Sequence, residues 1–302
     1  MAGSKHRSIR LVIFLFLLPS CAGLLVFSVI PIFYSFLISL TDWNGLNEWN
    51  LSAGSPAFVG AGNYVEILRS EEFWRVLGNT SYFIVLYIPL ILAASVLAAI
   101  LLNQAYRGIG AYRVLFFIPV LTSWVAGSLI WKWLLSAEYG PVNELLGFFG
   151  VAGPAWLQDP IWAMPGIVLA SVWKDMGFFG LIMLGGLQGI NPSYYEAAEI
   201  DGASAWRRLT AITLPLLSPI VFFVMVICII NSFQLFPQVM IMTTDAGPYG
   251  ATQAMVERIY KYAFKYYKMG YASAFSWILF VIIFCFTFLQ LKLQKKWVHY
   301  DA

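Results

Sequence analysis

Few residues of the types used in catalysis or metal binding lie in the central part of this sequence. The chain has 302 residues, with two histidines, His6 and His299, near its ends. The three cysteines are far apart within apolar runs, at Cys21, Cys228 and Cys285. These spacings form no metal site, no disulfide framework and no pair of nucleophile and base. We therefore expect neither enzyme activity nor metal binding from this chain.

ATP hydrolysis by this chain is not expected either. The sequence contains no Gly-x-x-x-x-Gly-Lys-Ser/Thr segment, the loop whose backbone surrounds the phosphates of ATP. If ATP drives this protein, a separate polypeptide must hydrolyse it. The formal net charge is only +3 and no basic run is present, so no nucleic-acid partner is indicated.

Three amide side chains recur within one strongly apolar run. Asn231, Gln234 and Gln238 are three and four residues apart, which would place them on one face of a continuous helix. Each amide offers donors and an acceptor, which suits a hydroxyl-rich solute. The alternative is hydrogen bonding between helices, worth about 0.6 kcal/mol per contact. Both interpretations remain open at this stage.

Lys174 and Asp175 form an adjacent charged pair in another apolar run. Neighbouring residues on a helix do not face each other, so the two need separate surroundings. A charge at the centre of a bilayer costs about 3 kcal/mol by insertion scales. We expect the pair to anchor its helix near the outer surface, with a place along the solute pathway as the alternative.

The elements that must position these groups are membrane-spanning helices. The chain is 60% hydrophobic and 11% charged, whereas soluble proteins are about 25% charged. A helix needs about 20 mainly apolar residues to cross a bilayer. The sequence predicts an all-α integral membrane protein in which residues 1–302 form one transmembrane domain. The six expected spans are roughly 11–39, 77–102, 113–135, 162–188, 214–241 and 271–292.

Six spans would put both ends of the chain on the same side as the polar segment 191–213. The positive-inside rule favours the cytoplasm for that side, through the basic residues Lys5, Arg7, Arg10, Arg107, Arg113, Arg207, Arg208, Lys292, Lys295 and Lys296. On the opposite side, basic residues alternate with aromatic ones over 258–268. This spacing predicts an interfacial amphipathic helix, with its charges on Arg258, Lys261, Lys265 and Lys268.

A pair of glycines in the fourth expected span has the spacing of a close helix contact. Gly185 and Gly189 form a small-xxx-small pattern. It allows another helix of this chain, or of a second subunit, to approach.

The segment 191–213 separates two of the apolar runs and predicts a helix–turn–helix elbow. Ser193 and Glu196 have the spacing of a capping box. Gly202 can end that helix because glycine accepts a positive φ. Ser204 can then begin a second short helix. Another protein could approach the small side chains of this elbow closely, at Ala197, Ala198 and Ala203.

This elbow resembles the EAA loop of the membrane subunits of binding-protein-dependent ATP-binding cassette (ABC) importers. The matching residues are Glu196, Ala197, Ala198, Asp201, Gly202, Ala203, Ile212, Leu214 and Pro215. One departure is Leu209, where the family often has phenylalanine. The resemblance implies a type I importer permease fold. It also implies that residues 196–198 and 201–203 dock into a separate ATPase subunit, which uses ATP–Mg.

Further motifs resemble the carbohydrate branch of this family. They are Thr41, Asp42 and Trp43; Phe58, Val59 and Gly60; Asn63 and Tyr64; Asn79 and Thr80; and Gly247 and Pro248. Ala246 stands where this branch usually has a glycine. This second resemblance implies import of a mono- or oligosaccharide, or of a related polyol.

The implied setting is the lipid bilayer of a bacterial or archaeal cytoplasmic membrane. The implied partners are a second homologous permease, two ATP-binding cassette subunits and an external solute-binding protein. The alternative function is a self-sufficient secondary transporter or channel for a small polar solute. A membrane-bound enzyme is disfavoured because no acid–base cluster is present.

Overall fold

The computed structural model describes residues 2–48, 56–104 and 106–298, with side chains from Ile13 onward. Within these ranges the chain is helical and contains no β-strand; an isolated bridge joins Thr41 and Phe58. Some residues named in the sequence analysis lie outside this described part, namely His299 and the side chains of Lys5, His6, Arg7 and Arg10.

The α-helices follow one another along the chain with short connections. They are α1 (Ala2–Leu24), α2 (Ile30–Ser39), α3 (Gly62–Arg69), α4 (Glu71–Leu102), α5 (Ile109–Leu121), α6 (Trp124–Leu134), α7 (Pro141–Phe148), α8 (Ala163–Gln188), α9 (Ser193–Ile200), α10 (Ala205–Arg208), α11 (Leu214–Phe233), α12 (Pro237–Met242), α13 (Met255–Tyr260) and α14 (Met269–Leu293). Wider π-helical turns join some neighbours: Leu25–Val29, Leu209–Thr213 and Lys261–Lys265.

Five helical segments of the described chain are long and apolar enough to cross a membrane. They are Ile13–Ser39, Glu71–Leu102, Ala163–Gln188, Ala205–Phe233 and Met269–Lys296. A sixth candidate is the pair α5 and α6, whose axes are bent by 98°.

That bend corrects the straight helix expected over 113–135. Thr122 is extended (ψ 144°) and interrupts the helix after Leu121. Ser123 then caps α6, because its side-chain oxygen accepts the backbone N–H of Ala126 at 3.2 Å. The third apolar stretch is therefore two short helices around a sharp corner.

The prediction of one straight helix over 214–241 is also wrong. α11 ends at Phe233, and the chain resumes a helix only at Pro237. Proline disfavours a helical conformation in the residue before it, and Phe236 has φ −144° and ψ −65°. The end of this span is therefore a broken helix.

One compact unit of the chain comprises residues 1–70 and 259–278. The side-chain amide of Asn63 donates to the backbone carbonyls of Ser39 at 2.9 Å and Thr41 at 2.8 Å. Gly270 lies against the same Thr41 carbonyl, where a Cβ atom would not fit. These contacts fix the segment that follows α2.

The other unit comprises residues 71–258 and 279–302, and its core lies where α4, α8 and α11 pack together. Small residues allow this packing. A Cβ at Gly180 would lie 3.2 Å from the Ala98 side chain, and one at Gly186 only 2.8 Å from Leu217. A Cβ at Gly185 would meet nothing within 4 Å, and one at Gly189 would come close only to carbonyls of its own helix. Among the described residues, the expected Gly185–Gly189 pattern is therefore not a contact between helices.

The segment 258–268 differs from the interfacial helix expected there. Arg258 is only 5% exposed and donates to both carboxylate oxygens of Glu257, at 2.8 and 2.9 Å, and to Glu72 at 2.8 Å. Burial alone would lower the pKa of Arg258, but hydrogen bonds and charges from Glu257 and Glu72 outweigh it and hold that pKa above its usual value. Lys261 is also buried. Two of the four expected interfacial charges are therefore internal.

The contact between α5 and α8 depends on Gly177. A Cβ atom there would overlap the backbone carbonyl of Phe116. We predict that Gly177→Ala destabilises the protein by about 1–3 kcal/mol, measured as thermal unfolding in detergent. The matched control is Gly185→Ala on the same helix, which should be neutral or stabilising by about 0.5–1 kcal/mol. Equal melting temperatures for the two variants would contradict this packing.

Candidate functional site

A cavity of about 290 Å³ lies among α4, α8 and the interrupted ends of α6, α11 and α12. Its lining combines three aromatic rings with amide, hydroxyl and carboxyl groups. The lining residues are Phe83, Tyr87, Trp124, Ser171, Asp175, Asn231, Ser232, Gln234, Leu235, Pro237 and Gln238. This volume is at the small end of ligand pockets.

The three amides expected on the solute pathway all line this cavity. Asn231 belongs to α11, and Gln234 follows its end, with its backbone N–H donating to the Asn231 carbonyl at 3.0 Å. Gln238 belongs to α12, and its buried Oε1 atom has no hydrogen-bond partner among the described residues. The three amides therefore meet at the cavity because the helix is broken. The prediction that they share one face of a continuous helix is wrong.

Asp175 supplies the carboxyl group of the cavity. The Tyr87 hydroxyl donates to its Oδ2 atom at 2.7 Å. The other oxygen, Oδ1, accepts no hydrogen bond within the described part of the chain. Asp175 therefore keeps one acceptor available to a solute.

Lys174 neither anchors α8 at an outer surface nor lines the cavity. Its side chain is only 5% exposed, and Nζ donates to the carbonyls of Thr122 at 2.6 Å, Pro119 at 2.9 Å and Val120 at 3.3 Å. The ammonium also lies 5.2 Å from the centre of the Trp124 ring. The expected anchoring role is thus wrong, and Lys174 binds the corner between α5 and α6.

The physical reason for this contact is the end of α5. The last carbonyls of a helix have no partner within it, and a buried carbonyl without a donor is costly. A cation is also favoured at the negative end of the helix dipole. Lys174 supplies both the donors and the charge, and the same corner places Trp124 on the cavity wall.

Several lining residues were not identified from the sequence. Phe83 and Tyr87 are four apart on α4, and their stacked rings are 5.1 Å apart. That spacing is a signal that could have been found, since such residues share a helix face. Trp124 carried no usable signal, because its position depends on the corner at Thr122.

The elbow forms a second candidate site. α9 ends in a Schellman motif: the Gly202 N–H donates to Glu199 at 3.0 Å and the Ala203 N–H to Ala198 at 2.9 Å. Gly202 has φ +72°, the left-handed region that favours glycine. Ser204 then caps α10 by accepting the Arg207 N–H at 3.3 Å.

The beginning of the elbow differs from the expected capping box. α9 starts at Ser193, but within the described residues neither Ser193 nor Glu196 makes that pair of hydrogen bonds. Instead, Oδ1 of Asn191 accepts the Ser193 N–H at 3.0 Å. The start of the helix was predicted correctly and its cap was not.

The elbow exposes apolar side chains and is bonded to the base of a span. Ile200 and Trp206 are 87% and 72% exposed. The Tyr195 hydroxyl and Thr213 Oγ1 are 3.0 Å apart, which links α9 to the turn that leads into α11. A concave space of about 430 Å³ lies inside the elbow. Glu196, Ala197, Asp201 and Gly202 are exposed, whereas Ala198 and Ala203 are half-buried and line that space.

Two motifs of the carbohydrate resemblance also come together. The Asn79 amide donates to the backbone carbonyls of Gly250 at 2.9 Å and Gln253 at 3.2 Å, in the segment that follows Pro248. Nearby, Ala246 has φ +65°. An alanine there adopts the conformation that a glycine accepts freely, at a cost of about 1–2 kcal/mol.

The family model of binding-protein-dependent transport system inner membrane components matches residues 59–299. The chain is 35% identical to the probable ABC transporter permease protein YesP of Bacillus subtilis (strain 168), covering 100% of this chain and 97% of that protein. It is 34% identical to the lactose transport system permease protein LacF of Rhizobium radiobacter, with 93% of each covered. It is also 34% identical to the trehalose/maltose transport system permease protein MalF of Thermococcus litoralis, with 96% of each covered.

The fold also matches that of a solved transporter. A bacterial alginate ABC transporter, solved with its alginate pentasaccharide-bound periplasmic protein, contains a chain that matches with a TM-score of 0.83 and 22% identity over 99% of both chains. This chain belongs to the family of inner membrane components of binding-protein-dependent transport systems. The expected family and the expected all-α permease fold are confirmed, and the alternative of a self-sufficient transporter is not supported.

The hydrogen bonds of Lys174 predict a large effect of its removal. Lys174→Met removes the donor to the carbonyls of Val120 and Thr122, while that of Pro119 still accepts from Thr122; we expect a loss of about 2 kcal/mol or more in stability. Thermal unfolding in detergent measures it. The control is Lys132→Met, because Lys132 is exposed and bonds a single carbonyl, that of Ile241, at 3.2 Å. A melting temperature unchanged by Lys174→Met would contradict the proposed role of Lys174 in holding the α5–α6 corner.

Proposed function

We propose that this permease subunit carries a sugar or a related polyol across the cytoplasmic membrane, driven by a separate ATPase that binds the elbow. The observation that carries the proposal is the elbow itself, an exposed turn bonded to the base of a span whose other end lines a polar cavity. The relatives named for lactose and for trehalose/maltose support a sugar as the solute.

The geometry supports a mechanism in which α11 links the two sites. The Tyr195–Thr213 contact joins the elbow to the start of this helix, and Asn231 lies near its end at the cavity. Its 20 residues span about 30 Å. Closure of the ATPase pair would move the elbow, and α11 would carry that motion to the amides of the cavity.

The proposed assembly contains this chain, a second homologous permease, two ATPase subunits and an external solute-binding protein. ATP–Mg binds to the ATPase subunits and not to this chain. Both ends of the chain and the elbow face the cytoplasm. The proposed coupling residues are Glu196, Ala197, Ala198, Asp201, Gly202 and Ala203. The proposed solute contacts are Asp175, Asn231, Gln234 and Gln238, whereas Lys174 acts by holding the corner.

Gly202 tests the coupling role, because a Cβ atom there would meet nothing within 4 Å. Gly202→Asp places a charge on the docking surface, and an unpaired charge buried in an interface costs about 2–5 kcal/mol. We expect ATP hydrolysis stimulated by the solute-loaded binding protein, and uptake into proteoliposomes, to fall by about tenfold or more. Membrane insertion should be unchanged.

Gly202→Asn is the matched control. Asparagine has nearly the same size and tolerates positive φ, but it adds no charge, so it should retain most of the coupling. Normal uptake by a well-inserted Gly202→Asp variant would contradict docking. Equal loss in both variants would assign the effect to the backbone of the elbow instead.

A cysteine cross-link tests which partner binds the elbow. Cys21 and Cys285 are exposed and are first changed to serine, whereas Cys228 is buried. In that background, Ala197→Cys should form an adduct with the ATPase subunit, detected by mass spectrometry. Phe148→Cys is the control, because it is 85% exposed on α7, which is expected on the opposite side of the membrane. Capture of the ATPase by position 148 alone would show that the topology is opposite to the proposed one.

A further inference from the structure

The charge of the cavity points to the class of solute that it accepts. Among the described residues that line it, Asp175 is the one with a charged side chain, and the others are aromatic, aliphatic, hydroxyl or amide. We propose that Asp175 makes the cavity selective for a neutral sugar unit over an acidic one. This inference rests on the proposed function, in which the cavity holds the solute.

The neighbouring cation does not compensate Asp175 within the cavity. Lys174 directs its ammonium to the carbonyls of Pro119, Val120 and Thr122 and toward the Trp124 ring. Adjacent residues on a helix point in different directions. The positive charge is therefore committed to the α5–α6 corner, and the negative charge faces the space for the solute.

The remaining groups suit a neutral sugar. Oδ2 of Asp175 accepts the Tyr87 hydroxyl, so Oδ1 remains to accept a hydroxyl of the solute. Asn231 and Gln234 line the cavity and offer both donors and acceptors. The Phe83 ring supplies an apolar surface for the carbon-bound face of a sugar. A carboxylate in the solute would instead meet Asp175 as a like charge, which is unfavourable where water is scarce.

The fold leaves the charge of the solute open. A chain with this fold also belongs to a bacterial importer of the acidic polysaccharide alginate. At the membrane site, a preference for solute charge can then come from side chains in the cavity. In this chain, Asp175 is the side chain that can produce such a preference, because it combines charge, position in the cavity and a free acceptor.

The experiment uses the complete complex of both permeases and the ATPase in nanodiscs. The solute-binding protein is left out, so that the measured affinity is that of the membrane site alone. Equilibrium binding is measured with radiolabelled glucose and glucuronate, which share a ring and differ in one carboxylate. We expect the wild type to prefer glucose by about tenfold or more. Asp175→Asn should reduce that preference to about threefold or less, mainly by improving glucuronate binding.

A further variant tests whether the effect is specific to the carboxylate in the cavity. Glu144→Gln removes an exposed carboxylate on α7, outside the cavity, and should leave the preference unchanged.

Three results would overturn the inference: equal binding of both sugars to the wild type, an unchanged preference in Asp175→Asn, or no binding of either sugar. The proposed function fails separately. It fails if a solute-loaded binding protein does not stimulate ATP hydrolysis by the complex.

Discussion

The structure depends on supplying hydrogen-bond donors to backbone carbonyls where an apolar helix is broken. Inside a bilayer no water is present to satisfy such groups, so irregular backbone persists only where protein groups replace it. Lys174 does this for the corner between α5 and α6, with contacts to three carbonyls. The corner in turn fixes the direction of α6 and the position of Trp124.

The second interruption borders the same cavity. α11 stops at Phe233 and α12 begins at Pro237, and Gln234 and Leu235, which lie between them, line the cavity. The break thus adds Gln234 and Gln238 to a cavity to which the continuous helices α4 and α8 contribute Tyr87 and Asp175. The cavity lies where the interrupted ends of α6, α11 and α12 meet the continuous helices α4 and α8.

The parts predicted from the sequence are those that local chemistry determines. Apolar length located the long helices, and Gly202 and Ser204 located the elbow, because a left-handed turn and a cap depend on neighbouring residues. The corner at Thr122 could not be predicted, since its stabilising partner lies 52 residues away at Lys174. The break before Pro237 was visible as a proline, but the regular spacing of the three amides favoured a continuous helix.

The partly buried ion pair between Arg258 and Glu72 has a consequence for biogenesis. The two residues are 186 positions apart, so the ribosome releases Glu72 long before Arg258 exists. This pair cannot form until the chain has been synthesised as far as Arg258. The beginning of α4 therefore acquires its final electrostatic environment late, when most of the polypeptide has already been synthesised.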